Sequence, residues 1–182
     1  RQKLAWPARP AASDLAAISS YFSVVHSHPE WLVTRWLHRH GIEATEGWLE
    51  FNIRAPALCL IPNRTLASRE ALEEELRADG VATRRTSRAA HGLHVTSGQA
   101  LGTRAFREGR CLVQDEASQL IGELVDARRG ERVLDLCASP GGKTVSLAAD
   151  VGSTGLIVAC DVRRHRLRVL TETMGRCRIA RA

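Results

Sequence analysis

The chain has 182 residues, enough for one or two domains, and its 44% hydrophobic and 25% charged residues are typical of a globular protein. No apolar run approaches the roughly 18 residues of a membrane-spanning helix, and the first residues lack the apolar core of a secretion signal. We therefore expect no membrane association and a cytoplasmic location.

The formal net charge is +6, and all but two of the 26 basic residues are arginine. Arginine binds phosphate through a planar fork and stacks on bases, so this surplus favours RNA as a partner. A GC-rich genome would also enrich arginine codons, so charge alone does not establish an RNA partner.

The five cysteines are widely spaced and form no Cys-x-x-Cys pair, which predicts reduced thiols: Cys59, Cys111, Cys137, Cys160 and Cys177. The histidines form three close pairs, one of which is His38 and His40. No carboxylate or thiolate stands at a spacing that would complete a four-ligand site, so we expect no metal.

The N-terminal part of the chain is predicted to be partly irregular. Residues 1–25 contain prolines and little pattern, and we interpret them as a linker or a frayed N-terminus. A helix is predicted over 30–40, ending at Gly41. A strand is then predicted over 48–53.

The next part of the chain has the element order of a ferredoxin-like module. The pattern predicts six elements in the order strand, helix, strand, strand, helix and strand, as in a split β-α-β unit. These elements lie over 57–61, 69–78, 81–86, 93–96, 98–107 and 111–114. We assign residues 26–115 to one domain that contains the preceding helix and this module. Arg84, Arg85 and Arg88 lie in a turn of the module and are candidates for RNA-phosphate contacts, with a solvated loop as the alternative.

The most informative stretch begins at Arg132. Residues 133–137 predict a short buried strand, and a helix is predicted over 144–149. Between them, Pro140-Gly141-Gly142 predicts a tight loop, in which the glycines let the backbone turn sharply and leave no Cβ between the chain and a ligand. The order is strand, glycine loop, helix.

A second buried strand is predicted over 156–160, and it ends on Asp161. This acid follows Gly141 by 20 residues, about the spacing at which a nucleotide-binding crossover places the acid that binds a ribose. A phosphate-binding P-loop is the alternative for Gly-Gly-Lys-Thr. It needs a glycine where this chain has Cys137, and Pro140 removes one N–H donor from the loop.

Residues 134–144 (LDLCASPGGKT) resemble motif I of the RsmB/NSUN family of S-adenosylmethionine-dependent RNA (cytosine-C5)-methyltransferases, except that the family usually has alanine at the position of Ser139. Residues 113–120 (VQDEASQL) are similar to the segment that precedes the fold in this family. Residues 27–37 look like the lead-in helix of its bacterial members. The three matches occur in one order and cover roughly residues 27–175.

The resemblance implies an α/β chain: a ferredoxin-like α+β module followed, over residues 116–182, by the first half of a Rossmann-like class I methyltransferase domain. It implies S-adenosylmethionine as the cofactor, held by the glycine loop and the acid after the second strand: Cys137, Ala138, Ser139, Pro140, Gly141, Gly142, Lys143 and Asp161. The implied substrate is carbon 5 of cytosine in RNA, with ribosomal RNA expected, and the complete protein is expected to be a monomer.

The family's nucleophilic cysteine lies in a Thr-Cys context late in the fold, and a second cysteine follows Asp-Ala-Pro. Neither string occurs here. We therefore expect none of the five cysteines to be catalytic, a nucleophile beyond Ala182, and a chain that is a piece of a methyltransferase. Half of a doubly wound sheet would leave apolar strand surface open. The alternative class is a non-catalytic, arginine-rich RNA-binding fragment.

Overall fold

The computed structural model describes residues 6–180 and divides into two compact units, one ending at Pro56 and the other beginning at Ala57. Within the described residues, no helix is both long and apolar enough to cross a bilayer. The units divide the chain differently from the predicted boundaries at residues 25 and 115. The lead-in helix lies in the first unit, and the ferredoxin-like module shares the second with the residues that follow it.

The first unit contains two helices, α1 (Leu15–Val25) and α2 (Glu30–Asn52). The predicted linker is therefore wrong for its second half, because apolar side chains at helical spacing in α1 pack against α2. The cluster that joins them consists of Ile18, Phe22, Val33, Leu37 and Leu49. The strand predicted over 48–53 is also wrong. Its apolar alternation is short, and burial of Leu49 in this cluster is satisfied by a helix.

Gly41 interrupts α2 with a positive φ of 76°, a conformation that favours glycine, and the helix end predicted there is confirmed. The two arms of α2, residues 30–40 and 42–52, fold back on each other. Nε2 of His28 lies 3.4 Å from Nδ2 of Asn52, although a straight helix would separate residues this far apart in sequence by about 36 Å.

The second unit begins with a four-stranded antiparallel sheet in the order β2-β3-β1-β4. Its elements are β1 (Cys59–Pro62), α3 (Arg69–Ala78), β2 (Ala82–Arg85), β3 (Leu93–Ser97), α4 (Arg104–Arg107) and β4 (Cys111–Val113). This is the predicted ferredoxin-like topology. The helix predicted over 98–107 is divided into a 3₁₀ turn and α4, because Thr103 is extended and caps α4.

A β-α-β unit follows the four-stranded sheet. The remaining elements are α5 (Glu116–Val125), β5 (Arg132–Asp135), α6 (Gly142–Val151), β6 (Leu156–Ala159) and α7 (Arg164–Arg176). Strands β5 and β6 pair in parallel, with Arg132 opposite Leu156 and Asp135 opposite Ala159. Helix α6 connects them, as expected for the start of a Rossmann-like sheet.

The two modules of the second unit share a core, because side chains alternate between the two faces of β1. Leu60 points to one face and packs with residues of α3 and α4. Ile61 points to the other face and packs with Leu112, with Ala138 from the loop after β5, and with Leu170 of α7. The glycine loop is therefore built against the back of the ferredoxin-like sheet.

Asn63 adds a polar connection at the same junction, where it is fully buried. Its Nδ2 donates to the carbonyl oxygens of Gly109 and Cys177, each at 2.9 Å. Its Oδ1 accepts from the N–H and the hydroxyl of Thr65 at 3.2 and 2.6 Å. All four hydrogen-bonding positions of the amide are thus used, and they tie β1 to the end of α7.

Candidate cofactor site

The candidate site forms where β5 ends and α6 begins. The N–H of Ala138 donates to the carbonyl of Cys160 at 2.9 Å, and the N–H of Cys160 donates to the carbonyl of Asp135 at 2.8 Å. These two hydrogen bonds tie the loop to the end of β6 and bring it beside Asp161. The loop and the acid therefore lie together at the carboxyl ends of two parallel strands, the edge at which open α/β sheets bind ligands.

Asp135 organises the loop, although sequence reasoning did not select it as a site residue. Its Oδ2 accepts from the hydroxyl of Thr144 at 2.8 Å, and its Oδ1 lies 3.4 Å from the backbone nitrogen of Cys137. Thr144 is fully buried. An acid at the end of a strand, followed by a threonine in the next helix, was the available signal for this interaction.

In the structure, the two glycines of the loop are explained by backbone conformation and by packing of neighbouring side chains rather than by the approach of a ligand. Gly141 has a φ of +112°, so the sharp turn does require glycine. A Cβ at Gly141 would lie 2.7 Å from Cε of Met174 and 3.1 Å from Cδ1 of Leu170. A Cβ at Gly142 would lie 3.2 Å from Nε2 of Gln114. The expectation that the missing Cβ atoms leave room for a ligand is corrected, since protein side chains fill that space.

The other predicted loop residues differ in exposure. Ala138 is buried in the shared core, and Ser139 is half-buried and precedes a cis peptide bond to Pro140. Cys137, Pro140 and Lys143 are exposed. The first N–H groups of α6 have no acceptor within a helix and lie at the positive end of its dipole. This end of α6 therefore suits an anionic group such as a carboxylate.

Asp161 follows β6, and its side chain is only 6% exposed. Its Oδ1 accepts from the backbone N–H of Arg163 at 3.1 Å, which closes a local turn before α7. Its Oδ2 lies 3.9 Å from Nη1 of Arg166, beyond hydrogen-bonding distance. One carboxylate oxygen thus has a structural role, and the other remains able to accept a further hydrogen bond.

Burial raises the pKa of three of the five thiols. It raises the pKa of Cys59 to about 11 and that of Cys111 to about 12, because a buried thiolate loses its solvation. The pKa of Cys177 is raised for the same reason. These three thiols are protonated near neutral pH, and a protonated thiol is a weak nucleophile. Cys137 is exposed and Cys160 is half-buried.

The structure separates the three arginines predicted to contact RNA. Arg85 is held by Glu73 of α3, with Nη2 2.7 Å from Oε2 and Nε 3.2 Å from Oε1. Arg84 precedes it on β2 and therefore points to the opposite face of the sheet. Arg88 lies in the turn after β2, and both Arg84 and Arg88 are exposed. The cluster thus presents its charges on different surfaces.

Glu116 holds the turn that carries Arg88, a role that sequence reasoning missed. Its Oε1 accepts from the backbone N–H groups of Arg88 at 2.6 Å and Ala89 at 3.1 Å. Its Oε2 lies 3.4 Å from Nε2 of His94. The two backbone hydrogen bonds hold the pKa of Glu116 below its usual range. An acid in the first turn of a helix is common, so the sequence carried no signal for this long-range contact.

Comparison with known proteins identifies both modules. Residues 28–101 match the model of the Methyltr_RsmF/B-like ferredoxin-like domain, and residues 123–182 match the model of the 16S rRNA methyltransferase RsmB/F. The probable ribosomal RNA small subunit methyltransferase B of Bacillus subtilis is 32% identical over 150 residues, which cover 82% of this chain and 34% of that protein. The corresponding methyltransferase B of Photorhabdus laumondii is 30% identical over 83% of this chain and 35% of its own. The chain spans about a third of the length of the curated relatives it matches.

Solved structures agree on the fold. A methyltransferase homolog protein from Pyrococcus horikoshii aligns with a TM-score of 0.77 at 25% identity, over 88% of this chain and 53% of that one. NSun6 from the same organism, in a structure with SFG, aligns with a TM-score of 0.74 at 16% identity, over 84% of this chain and 64% of its own, and supports the fold alone. Two family models match this chain in sequence order, and curated relatives match most of its length. This chain therefore belongs to the RsmB/NSUN family of methyltransferases.

Proposed function

We propose that this chain forms the ferredoxin-like module and the cofactor loop of an S-adenosylmethionine-dependent RNA (cytosine-C5)-methyltransferase that acts on small-subunit ribosomal RNA in the cytoplasm. The supporting observation is the motif I loop between β5 and α6, tied by hydrogen bonds to the end of β6 beside Asp161. The curated relatives are named as ribosomal RNA small subunit methyltransferases. The comparisons give no support to the non-catalytic RNA-binding alternative.

The donor set at this strand edge fits the proposed cofactor. The N–H groups at the start of α6 suit the carboxylate of the methionine part. Oδ2 of Asp161 is able to accept a ribose hydroxyl, because its neighbour Arg166 lies beyond hydrogen-bonding distance. The exposed side of the loop, at Cys137 and Pro140, leaves this edge open to a ligand.

The proposed chemistry needs a thiolate in addition to the cofactor. When bound, S-adenosylmethionine supplies the methyl group. Carbon 5 of cytosine is a weak nucleophile, and addition of a cysteine thiolate to carbon 6 makes it electron-rich enough to accept that group. A base then removes the proton from carbon 5, and the thiolate leaves carbon 6. We assign this role to none of the five cysteines, since three are buried with raised pKa values, and Cys137 and Cys160 belong to the segments after β5 and β6 that are proposed to hold the cofactor. We place the nucleophile beyond Ala182.

RNA is the proposed partner, and the complete enzyme is proposed to act as a monomer. Arg84 and Arg88 are exposed on the ferredoxin-like module and are proposed to contact phosphates. Arg85 is proposed to do so as well, since its side chain is half exposed in its ion pair with Glu73 and a surface pair of this kind is weak. The net charge of +6 supports an anionic partner.

Calorimetric titration of the complete enzyme with S-adenosylhomocysteine tests the cofactor site. Asp161→Ala should weaken binding by about 10- to 100-fold, because hydrogen bonds to a charged group are worth about 1.5–3 kcal/mol. Asp161→Asn should recover part of the affinity, since the amide keeps one acceptor. Asp79→Ala removes an exposed acid at the end of α3 and is the matched control; it should leave the affinity unchanged.

A melting curve for each variant separates the two roles of Asp161. The carboxylate also closes the turn before α7 through the N–H of Arg163. If Asp161→Ala lowered the melting temperature but left the affinity for S-adenosylhomocysteine unchanged, Asp161 would serve the turn alone and the ribose role would be wrong.

A further inference from the structure

The first unit carries a second candidate site, separate from the cofactor loop. We propose that a pocket between Trp36 and Trp48 on α2 binds an unpaired base of a single-stranded RNA segment. The proposal that the ligand is RNA rests on the proposed function. The pocket itself is defined by side chains of α2 alone.

The pocket exists because α2 folds back at Gly41. Trp36 and Trp48 lie on opposite arms and would be about 18 Å apart along a straight helix. Their ring centroids are 6.3 Å apart, with the rings at 82° to each other. The space beside them has a volume of about 320 Å³ and is lined by Trp36, His40, Ala44, Thr45 and Trp48. This volume is at the lower end of the range of small-molecule sites, which is about 300–1,000 Å³.

A buried polar atom indicates a ligand with hydrogen-bonding groups. Thr45 is only 1% exposed, and its Oγ1 has no hydrogen-bond partner among the residues that the structure describes. Buried polar groups without a partner are rare because they lose the solvation of water. The ring of His40 lines the same pocket and is exposed. A nucleobase combines a flat apolar face for the indoles with donors and acceptors at its edge for these two groups.

Aromatic side chains continue on both sides of the pocket. The ring of Phe51 lies 6.2 Å from that of Trp48, and the ring of His28 lies 6.0 Å from that of Trp36. Trp48 is 57% exposed and Phe51 is 64% exposed, so neither is accounted for by the core of this unit. His28 and Trp36 are half-buried, so the exposed rings of Trp48 and Phe51 are the two on which successive unpaired bases can stack.

Helix α2 contains two arginines and four glutamates, a formal charge of −2, and its positive charge is confined to the arm that carries Trp36, where Glu30 is the one acid. The arm that carries Trp36 also carries Arg35, Arg39 and two histidines. On the other arm, the carboxylate of Glu46 is paired with the guanidinium of Arg9 at 2.5 and 2.7 Å. Glu43 and Glu50 are exposed on that arm, so the phosphate contacts are assigned to the first arm. Because both a backbone contact and a stacking contact are available, RNA fits this surface better than an apolar peptide does.

Fluorescence anisotropy of a labelled, unstructured oligoribonucleotide of about 12 nucleotides tests the site. Trp48→Ala should weaken binding by about tenfold or more, because stacking of a base on an aromatic ring is lost. Trp48→Phe should keep most of the affinity, which guards against a folding defect in the alanine variant. Trp6→Ala removes an exposed tryptophan outside the pocket, and its effect should stay within about twofold.

Thr45→Val tests the hydrogen-bonding part of the site. It keeps the shape of the side chain and removes the hydroxyl, so it should reduce the difference in affinity between oligonucleotides of different base composition. Equal affinities for the wild-type chain and Trp48→Ala would overturn the proposal. So would equal binding of a duplex of the same sequence, whose bases are paired, or displacement of the RNA by a proline-rich peptide.

Titration of the same variants with S-adenosylhomocysteine separates this inference from the proposed function. Cofactor binding should be unchanged in Trp48→Ala, since every residue of the pocket belongs to α2. If Trp48→Ala bound both S-adenosylhomocysteine and RNA as tightly as the wild type, the proposed pocket would be wrong. The methyltransferase assignment would be unaffected.

Discussion

The two sheets of the second unit differ in how their faces are covered. In the four-stranded sheet, Leu60 faces the helices α3 and α4, and Ile61 faces the cluster that includes α7, so β1 is buried on both sides. In the two-stranded sheet, Ile157 is buried against α6. On its other face, Leu134 and Val158 are 59% and 46% exposed.

The difference shows that the glycine loop after β5 is supported from outside its own sheet. Parallel strands are normally covered on both faces, and β5 and β6 are covered on one among the residues described. The loop after β5 does not depend on the open face, because Ala138 packs against Ile61 and Leu112 of the other sheet. The ferredoxin-like module therefore has a structural role in the candidate site.

The same substitution in each sheet is the strongest test of this contrast. Leu60→Ala should lower the free energy of unfolding by about 2–5 kcal/mol, because it removes a fully buried side chain and leaves a cavity. Leu134→Ala, at an exposed position, should lower it by less than about 1 kcal/mol. Urea unfolding of both variants measures the difference. Equal losses would mean that the exposed face is covered in solution.

The junction between the sheets is the next target. Asn63→Ala should lower the free energy of unfolding by about 1–3 kcal/mol, because the buried carbonyls of Gly109 and Cys177 lose their donor. Affinity for S-adenosylhomocysteine should fall as well if the loop depends on this junction. Asn52→Ala, at the end of α2, is the control for loss of an asparagine. An affinity unchanged in Asn63→Ala would show that the loop is held by its own hydrogen bonds.

The buried thiol of Cys111 has an effect that is confined to alkaline pH. Burial raises the pKa of Cys111, in the covered sheet, to about 12, so the folded state keeps a proton that the unfolded state releases above about pH 9. Stability is therefore lost as the pH rises from about 9 towards 12. Urea unfolding across this range should show a shallower decline for Cys111→Ala than for the wild type. Val113→Ala, at an exposed position of the same strand without an ionisable side chain, should leave the slope unchanged; a similar change in both variants would contradict the assignment to Cys111.

Much of the second unit could be predicted from local sequence. The helix capped by Ser68 and the strands of the four-stranded sheet follow from apolar alternation and end signals within a few residues. The errors lie where distant packing decides the local structure. Alternation over 48–53 suggested a strand, but burial of Leu49 with Phe22 of α1 is satisfied by a helix.

The candidate site was only partly predictable. The glycine loop and Asp161 were found from spacing and from the family resemblance, because motif I is continuous in sequence. The packing of Gly141 against Met174 joins residues more than thirty positions apart, and no local pattern encodes it. The pairing of Arg85 with Glu73 likewise depends on where α3 lies against the sheet.

The hydrogen bonds of Asn63 also bear on the order in which the chain is completed during synthesis. The carbonyl of Cys177 lies 114 residues after Asn63, and at translation rates of about 5–20 residues per second the ribosome makes it on the order of ten seconds later. During that interval we expect the buried amide to lack one of its acceptors and the back of the ferredoxin-like sheet to lack α7. The ferredoxin-like module is therefore expected to be completed only when α7 has left the ribosome.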